Sequence, residues 1–255
     1  MKHALSLVLF LCCFASIAAP KQEYYELRTY ILKDKSQEEK VEKFLQDALL
    51  PALHRASIAH VGVFKPVETD TTYGKRIYLL IPYSSLDQFN KVPGSLTKDK
   101  QYLAAGKDYL DAAYENPPYA RIQSILLKAF TGLPVHEKPQ LKTPPSERIY
   151  ELRSYESHTE KISMNKIQMF NAGDEVGLFR RLGFNAVFYA EVISGPRMPN
   201  LMYMTTFENK ASRDEHWNAF REDAQWKILS KEEQYQHNVS KIDIYFLHPT
   251  SYSDL

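Results

Sequence analysis

The hexapeptide YELRTY at residues 25–30 returns as YELRSY at residues 150–155. Five of its six positions are identical, at an offset of 125, about half of the 255-residue chain. A mixed aromatic, acidic and basic string repeated at half length marks a chain built from two copies of one unit, each short of a complete core by itself.

The residues around the string give the unit its order. In the first copy, residues 24–32 are rich in β-formers and predict a strand. Val41, Phe44, Leu45, Ala48, Leu49, Ala52, Leu53 and Ala56 then recur every three or four positions, the stripe of an amphipathic helix. Pro51 should kink or divide that helix. Strands are predicted over 60–67 and 76–83, with TTYGK as the turn between them. A helical region over 85–113, broken near Pro93-Gly94, precedes a closing strand over 119–130. The order is β-α-β-β-α-β, the ferredoxin-like unit.

The second copy predicts strands over 148–155, 184–193, 201–207 and 239–247, with helices over 158–181 and 211–229. The offset of 125 aligns Leu53 with Leu178, Arg55 with Arg180 and Tyr78 with Tyr203, and slips to 120 in the last strand, where Ile122 meets Ile242. Between the copies, TGLPVHEKPQLKTPPS holds four prolines and no periodicity, which marks a linker over 131–146. The repeats span 21–130 and 147–255. Such a unit carries its helices on one face of its sheet only. Two bare faces in one chain pack against each other. The expected class is therefore α+β, two tandem ferredoxin-like repeats packed sheet to sheet as a pseudo-dimeric α/β barrel.

Strand residues alternate between faces. Tyr25, Leu27, Thr29 and Ile31 share one face, apolar enough to lie under helices; Glu26, Arg28 and Tyr30 share the other, placed between the copies. Glu151, Arg153 and Tyr155 answer them in the second copy. Carboxylate and guanidinium are tolerated inside a protein when paired. Two readings follow: interlocking ion pairs between the halves, or a polar-lined pocket.

The first residues are separate. ALSLVLFLCCFASIAA after Lys2 and His3 is short, apolar and ends in small residues, the pattern of a signal peptide over 1–19, cleaved near Ala18 or Ala19. The expected location is periplasmic or secreted. Both cysteines, Cys12 and Cys13, fall inside it, so the mature chain has no disulfide and no thiolate chemistry. A formal charge of +1 argues against a general electrostatic grip on nucleic acid. No later segment is long and apolar enough to cross a membrane.

Glycine-rich phosphate loops, nucleophile elbows and H-E-x-x-H are missing from the sequence, so neither metal nor cofactor is assigned. His216 beside Trp217 suits contact with an aromatic ligand, and a helix edge explains the pair equally well. Where the first copy has Ala48, Leu49 and Ala52, the second has Gly173, Asp174 and Gly177. Glycine weakens a helix by about 1 kcal/mol relative to alanine. One reading is a helix break that turns Asp174 and Glu175 to solvent. The other is an opening to the sheet with a carboxylate at its mouth, which would put any pocket in the second copy.

YELRTY and YELRSY, each opening a β-α-β-β-α-β unit, resemble the NIPSNAP family. So do MFNAGDEVGLFRRLGFNAVFYAEVISGPRMPNLMYMTTFEN and the tail RDEHWNAFREDAQWKILS. The resemblance covers residues 24–252 and is strongest in the second copy. It implies a dimeric α/β-barrel fold. Animal members are associated with mitochondria, vesicle traffic and protein binding; this chain has a signal peptide where their transit sequence would stand, which fits an exported bacterial protein. Three functions stay open: binding of a small, partly apolar or aromatic molecule between sheet and helices; a cofactor-independent monooxygenase or haem-degrading enzyme using Arg153, Tyr155, His216 and Asp174; or a protein-interaction module. The partners to expect are a small-molecule ligand and further copies of the chain.

Overall fold

The structure, a computed structural model, describes residues 21–255. The signal peptide expected over 1–19 lies outside them. The first repeat runs through strand β1 (Tyr24–Ile31), helix α1 (Lys35–Phe44), helix α2 (Leu50–Arg55), strands β2 (Gly62–Pro66) and β3 (Arg76–Tyr83), helices α3 (Leu86–Leu96), α4 (Lys100–Ala105) and α5 (Lys107–Leu110), and strand β4 (Arg121–Ala129). The second repeats it with β5 (Ile149–Glu156), α6 (Glu160–Asn171), α7 (Glu175–Arg181), β6 (Asn185–Ser194), β7 (Asn200–Phe207), α8 (Lys210–Glu222), α9 (Ala224–Leu229) and β8 (Lys241–Pro249).

Local chemistry sets the helix ends. The Asp34 side chain accepts from the backbone N–H of Gln37 at the start of α1, and Ser85 and Asn209 cap α3 and α8 in the same way. Before Pro51 the backbone widens into a π turn over Leu45–Leu49, and α2 restarts with the proline in its first turn. This is the division Pro51 predicts. Pro93 stays inside α3, and the break falls after Leu96.

Each YELR strand lies inside its own sheet, between two antiparallel neighbours: β1 between β3 and β4, β5 between β7 and β8. The sheets then join at both edges. Strand β2 pairs with β8, as Phe64 opposite Pro249, and β4 pairs with β6, as Ala129 opposite Ala190. The result is a closed eight-stranded barrel, β1-β3-β2-β8-β5-β7-β6-β4. Closure removes every edge strand. No helix among the described residues is long and apolar enough to cross a membrane.

The facing of the repeated strand is the reverse of the sequence expectation. Tyr25, Leu27 and Leu80 meet Tyr150, Leu152, Phe188 and Met204 of the other repeat inside the barrel. Tyr30 packs instead with α1 and α2, and Tyr155 with α6 and α7. Glu26, Arg28, Glu151 and Arg153 therefore lie under the helices of their own repeat, not between the copies. Both faces of these strands are buried, so alternation separates them without saying which is inside. The barrel interior has no helix to lend donors or counter-charges, and it takes the apolar face.

A second correction concerns register. Arg28 lies opposite Leu79, and Arg153 opposite Tyr203, which shifts the offset to 124 at this strand. Tyr78 points into the barrel while Tyr203 points to the helices; a one-residue slip exchanges faces. The offset of 120 in the last strand holds, since Arg28 pairs with Ser124 and Arg153 with Ile244.

The segment between the repeats is tied down. The Glu23 N–H donates to the Pro134 carbonyl, and the Glu23 carboxylate accepts from the His136 backbone N–H and meets its ring. Glu208 accepts from the backbone N–H groups of Lys142 and Thr143. Expressed alone, residues 21–130 would expose the apolar inner face and the free edges of β2 and β4. The fragment is expected to dimerise or aggregate; a stable soluble monomer by sedimentation would contradict the closed barrel.

Candidate functional site

The repeated Glu-x-Arg-x-Tyr makes the same floor twice, under two different covers. In the second repeat Glu151 is 0% exposed. Arg153 Nε donates to its Oε1 at 2.6 Å. Arg213 donates from Nε to Oε2 at 2.6 Å and from Nη2 to Oε1 at 2.9 Å, and Trp217 Nε1 donates to Oε2 at 2.9 Å. The Arg153 guanidinium lies 3.8 Å from the centre of the Trp217 ring. Its Nη1 donates to Tyr155 Oη at 2.9 Å, which meets Tyr203 Oη at 3.0 Å. Burial pushes the Glu151 carboxyl up, but hydrogen bonds and charge from Arg213 and Arg153 outweigh it and hold the group below its ordinary value. Every acceptor position on Glu151 is used. Phe179, Phe184 and Phe220 pack around the indole and close the space.

In the first repeat Arg28 holds Glu26 through Nε and Nη2 at 2.9 and 3.0 Å. Ser124 Oγ and Tyr83 Oη complete the carboxylate at 2.8 and 3.3 Å. Burial opposes the Arg28 charge, but Tyr30 and Glu26 raise its pKa above the ordinary value. The cover differs. Counted from the caps Ser85 and Asn209, Phe89 stands where the second repeat has Arg213, Pro93 where it has Trp217, and Leu96 where it has Phe220. A cavity of about 480 Å³ remains between sheet and helices, floored by Glu26 and Arg28 and walled by Leu49, Leu53, Ile81, Phe89, Leu96 and Tyr102. The Arg28 side chain is 25% exposed, against 10% for Arg153. Exposed Leu103 and Leu110 flank the opening. The fully buried Tyr30 hydroxyl, beside Arg28 and Tyr109, has no partner at hydrogen-bonding geometry.

The pocket thus falls in the first repeat, not the second. A larger groove of about 620 Å³ runs between α1 and α5. Its rim is half-buried Lys40 with exposed Lys43, Lys107 and Asp108, with no buried polar floor, so the smaller cavity is the candidate site.

The remaining expected residues are not brought together. Asp174 is exposed, in the left-handed region at φ 60°, at the break between α6 and α7. Its neighbour Glu175 does not turn to solvent: it is buried and accepts from Lys166 Nζ at 2.9 Å. His216 donates from Nδ1 to the Ser212 carbonyl and packs on Phe184 and Phe207. Arg153 and Tyr155 are sealed under Trp217. The glycines serve the break: a Cβ at Gly173 would stand 2.5 Å from the Met169 carbonyl oxygen, and one at Gly177 would stand 2.1 Å from Asp174 Oδ1. Sequence reasoning missed Arg213, Lys166 and Tyr203. Arg213 and Trp217, four residues apart on one helix face, were a readable signal. Lys166, among Ser163, Ile167 and Phe170 on the buried face of α6, was another.

An eight-stranded α/β barrel of two ferredoxin-like repeats, with a half-open pocket under the helices of one, defines the class. The NIPSNAP family model matches residues 150–254, which is the second repeat. No curated protein matches the chain by sequence. A crystal structure of a candidate monooxygenase from Lactobacillus acidophilus NCFM is similar with a TM-score of 0.59 at 10% identity, covering 90% of this chain and 94% of that one. An anthrone oxidase-like protein is similar with a TM-score of 0.53 at 11% identity, over 92% and 94%. A NIPSNAP family protein from Agrobacterium tumefaciens aligns at 19% identity over 43% of this chain and 99% of its own, with a TM-score of 0.37. The first two likenesses establish the shared barrel.

Two outcomes follow. Glu151→Gln leaves the Arg153 guanidinium without a counter-charge and Arg213 with Asp214 alone, and should cost about 3–5 kcal/mol. The folded carboxyl lies below its ordinary 4.5, so its stabilisation is complete above that value and is lost as pH falls toward the folded value. Melting curves from about pH 7 to about pH 3 should show a steeper acid loss in wild type than in Glu151→Gln; parallel slopes would remove Glu151 from the energetics. Gly173→Ala forces backbone to move and should cost about 1–3 kcal/mol, whereas Gly177→Ala needs only the exposed Asp174 side chain to swing and should cost less. A thermal melt giving the opposite order would contradict this account of the break.

Proposed function

We propose that the protein binds a small, partly apolar or aromatic molecule between the sheet and helices of its first repeat. The observation that carries this is the contrast between the repeats. One ion-pair floor is sealed by Trp217, Arg213 and Phe220; the other, with Pro93, Phe89 and Leu96 in those places, lies open beneath about 480 Å³ of mostly apolar space. A cavity of that size forfeits packing contacts that a filled core would keep. Apolar walls around a few convergent polar groups are the usual build of a ligand site. The fold likeness to candidate monooxygenases supports a second reading, an enzyme acting on that same bound molecule. A product formed only with intact protein would favour it.

The test is to give the first repeat the cover of the second. Phe89→Arg with Pro93→Trp should fill the cavity and remove a proline from the interior of α3, which by itself can recover up to about 3 kcal/mol. The melting temperature is expected to hold or rise. Native mass spectrometry of protein purified from its own host should show a small-molecule adduct on wild type and none on the variant. The same adduct on both proteins would move the site elsewhere.

A further inference from the structure

We infer that the molecule held in the first repeat is a planar aromatic compound of about indole size carrying one N–H or O–H donor. This rests on the binding role proposed above and specifies its ligand. The protein's second repeat supplies the template. There the Arg153 guanidinium sits over the Trp217 ring, 3.8 Å from its centre, and the indole N–H donates to Glu151 Oε2 at 2.9 Å. Strand register around the two floors is the same, Arg28 facing Leu79 and Ser124 as Arg153 faces Tyr203 and Ile244. Both caps sit two residues past their strand, and the eighth residue beyond the cap is Trp217 in one repeat and Pro93 in the other.

Arg28 therefore lacks the ring that covers Arg153; among the described residues no aromatic ring stacks on its guanidinium, and a quarter of its side chain faces the cavity. A guanidinium face in an apolar enclosure attracts an aromatic ring. The oxygen that takes the indole N–H in the second repeat accepts in the first from Arg28 Nη2 at 3.0 Å and, in the indole's place, a long 3.3 Å bond from Tyr83, so a ligand donor can displace the Tyr83 hydroxyl for a charge-assisted bond. A cationic ligand would meet Arg28, and a carboxylate would meet Glu26. A neutral ring with one donor meets neither repulsion. Phe89 and Tyr102 in the walls extend the aromatic surroundings.

The experiment is calorimetric titration of the full mature chain with indole, 1-methylindole and 1-octanol. Indole should bind, 1-methylindole about tenfold more weakly because it has no donor, and 1-octanol should not displace indole. Arg28→Lys keeps a cation beside Glu26 but loses the planar face and should weaken indole about tenfold. Tyr83→Phe removes the competing hydroxyl without touching the ion pair, and should keep or tighten indole binding. Indole bound by Arg28→Lys as by wild type, tighter binding of 1-octanol than of indole, or loss of indole binding in Tyr83→Phe would each overturn the inference while leaving a binding pocket in place. If none of the three compounds binds and the protein carries no adduct, the binding role falls and the inference with it.

Discussion

Neither sheet has any cover for its inner face except the other sheet. Each ferredoxin-like unit carries its helices on one side, so half of its apolar strand residues stay exposed until a second unit arrives. The duplication supplies that unit within one chain. Closure through β2 with β8 and β4 with β6 also satisfies the two edges each sheet would otherwise offer to other molecules. With the interior filled by Tyr25, Tyr150, Phe188 and their neighbours, charge has one place left to go, which is beneath the helices.

Beneath the helices the two copies have diverged. A carboxylate and a guanidinium two residues apart on a strand can chelate each other, and both repeats keep that geometry. In the second repeat the floor is finished from above. Arg213 and Trp217 complete Glu151, and Tyr203 completes Tyr155. In the first, Leu79 replaces the tyrosine that would answer Tyr30, whose hydroxyl is left without a partner. Phe89 and Pro93 leave the space above Arg28 open. One repeat closes the arrangement under side chains, and the other leaves it open to a cavity. The difference lies in a few helix positions, because a floor this conserved in geometry needs only a change of cover to become a pocket.

The order of elements, the two-fold repetition and the barrel were legible in the sequence, as was the need of each buried Arg for a carboxylate, although the pairs form within each repeat and not between the copies. They follow from local periodicity and from the rule that a buried charge needs a partner. Which face of YELRTY looks inward was not legible, because both faces are buried and alternation has no sign. Nor was the one-residue slip that parts Tyr78 from Tyr203, since a change of loop length leaves no mark on strand composition. Gly173 and Gly177 suggested lost volume, yet large aromatic neighbours and the Leu229 side chain occupy that region. The open volume stands under Pro93, where α3 continued through a residue that ordinarily ends a helix. The sequence by itself determined that two equal units must share one core and that their charges must pair. Only the tertiary structure decided which repeat is sealed and which is open, because that depends on how far side chains from one helix reach across to a strand distant in the chain.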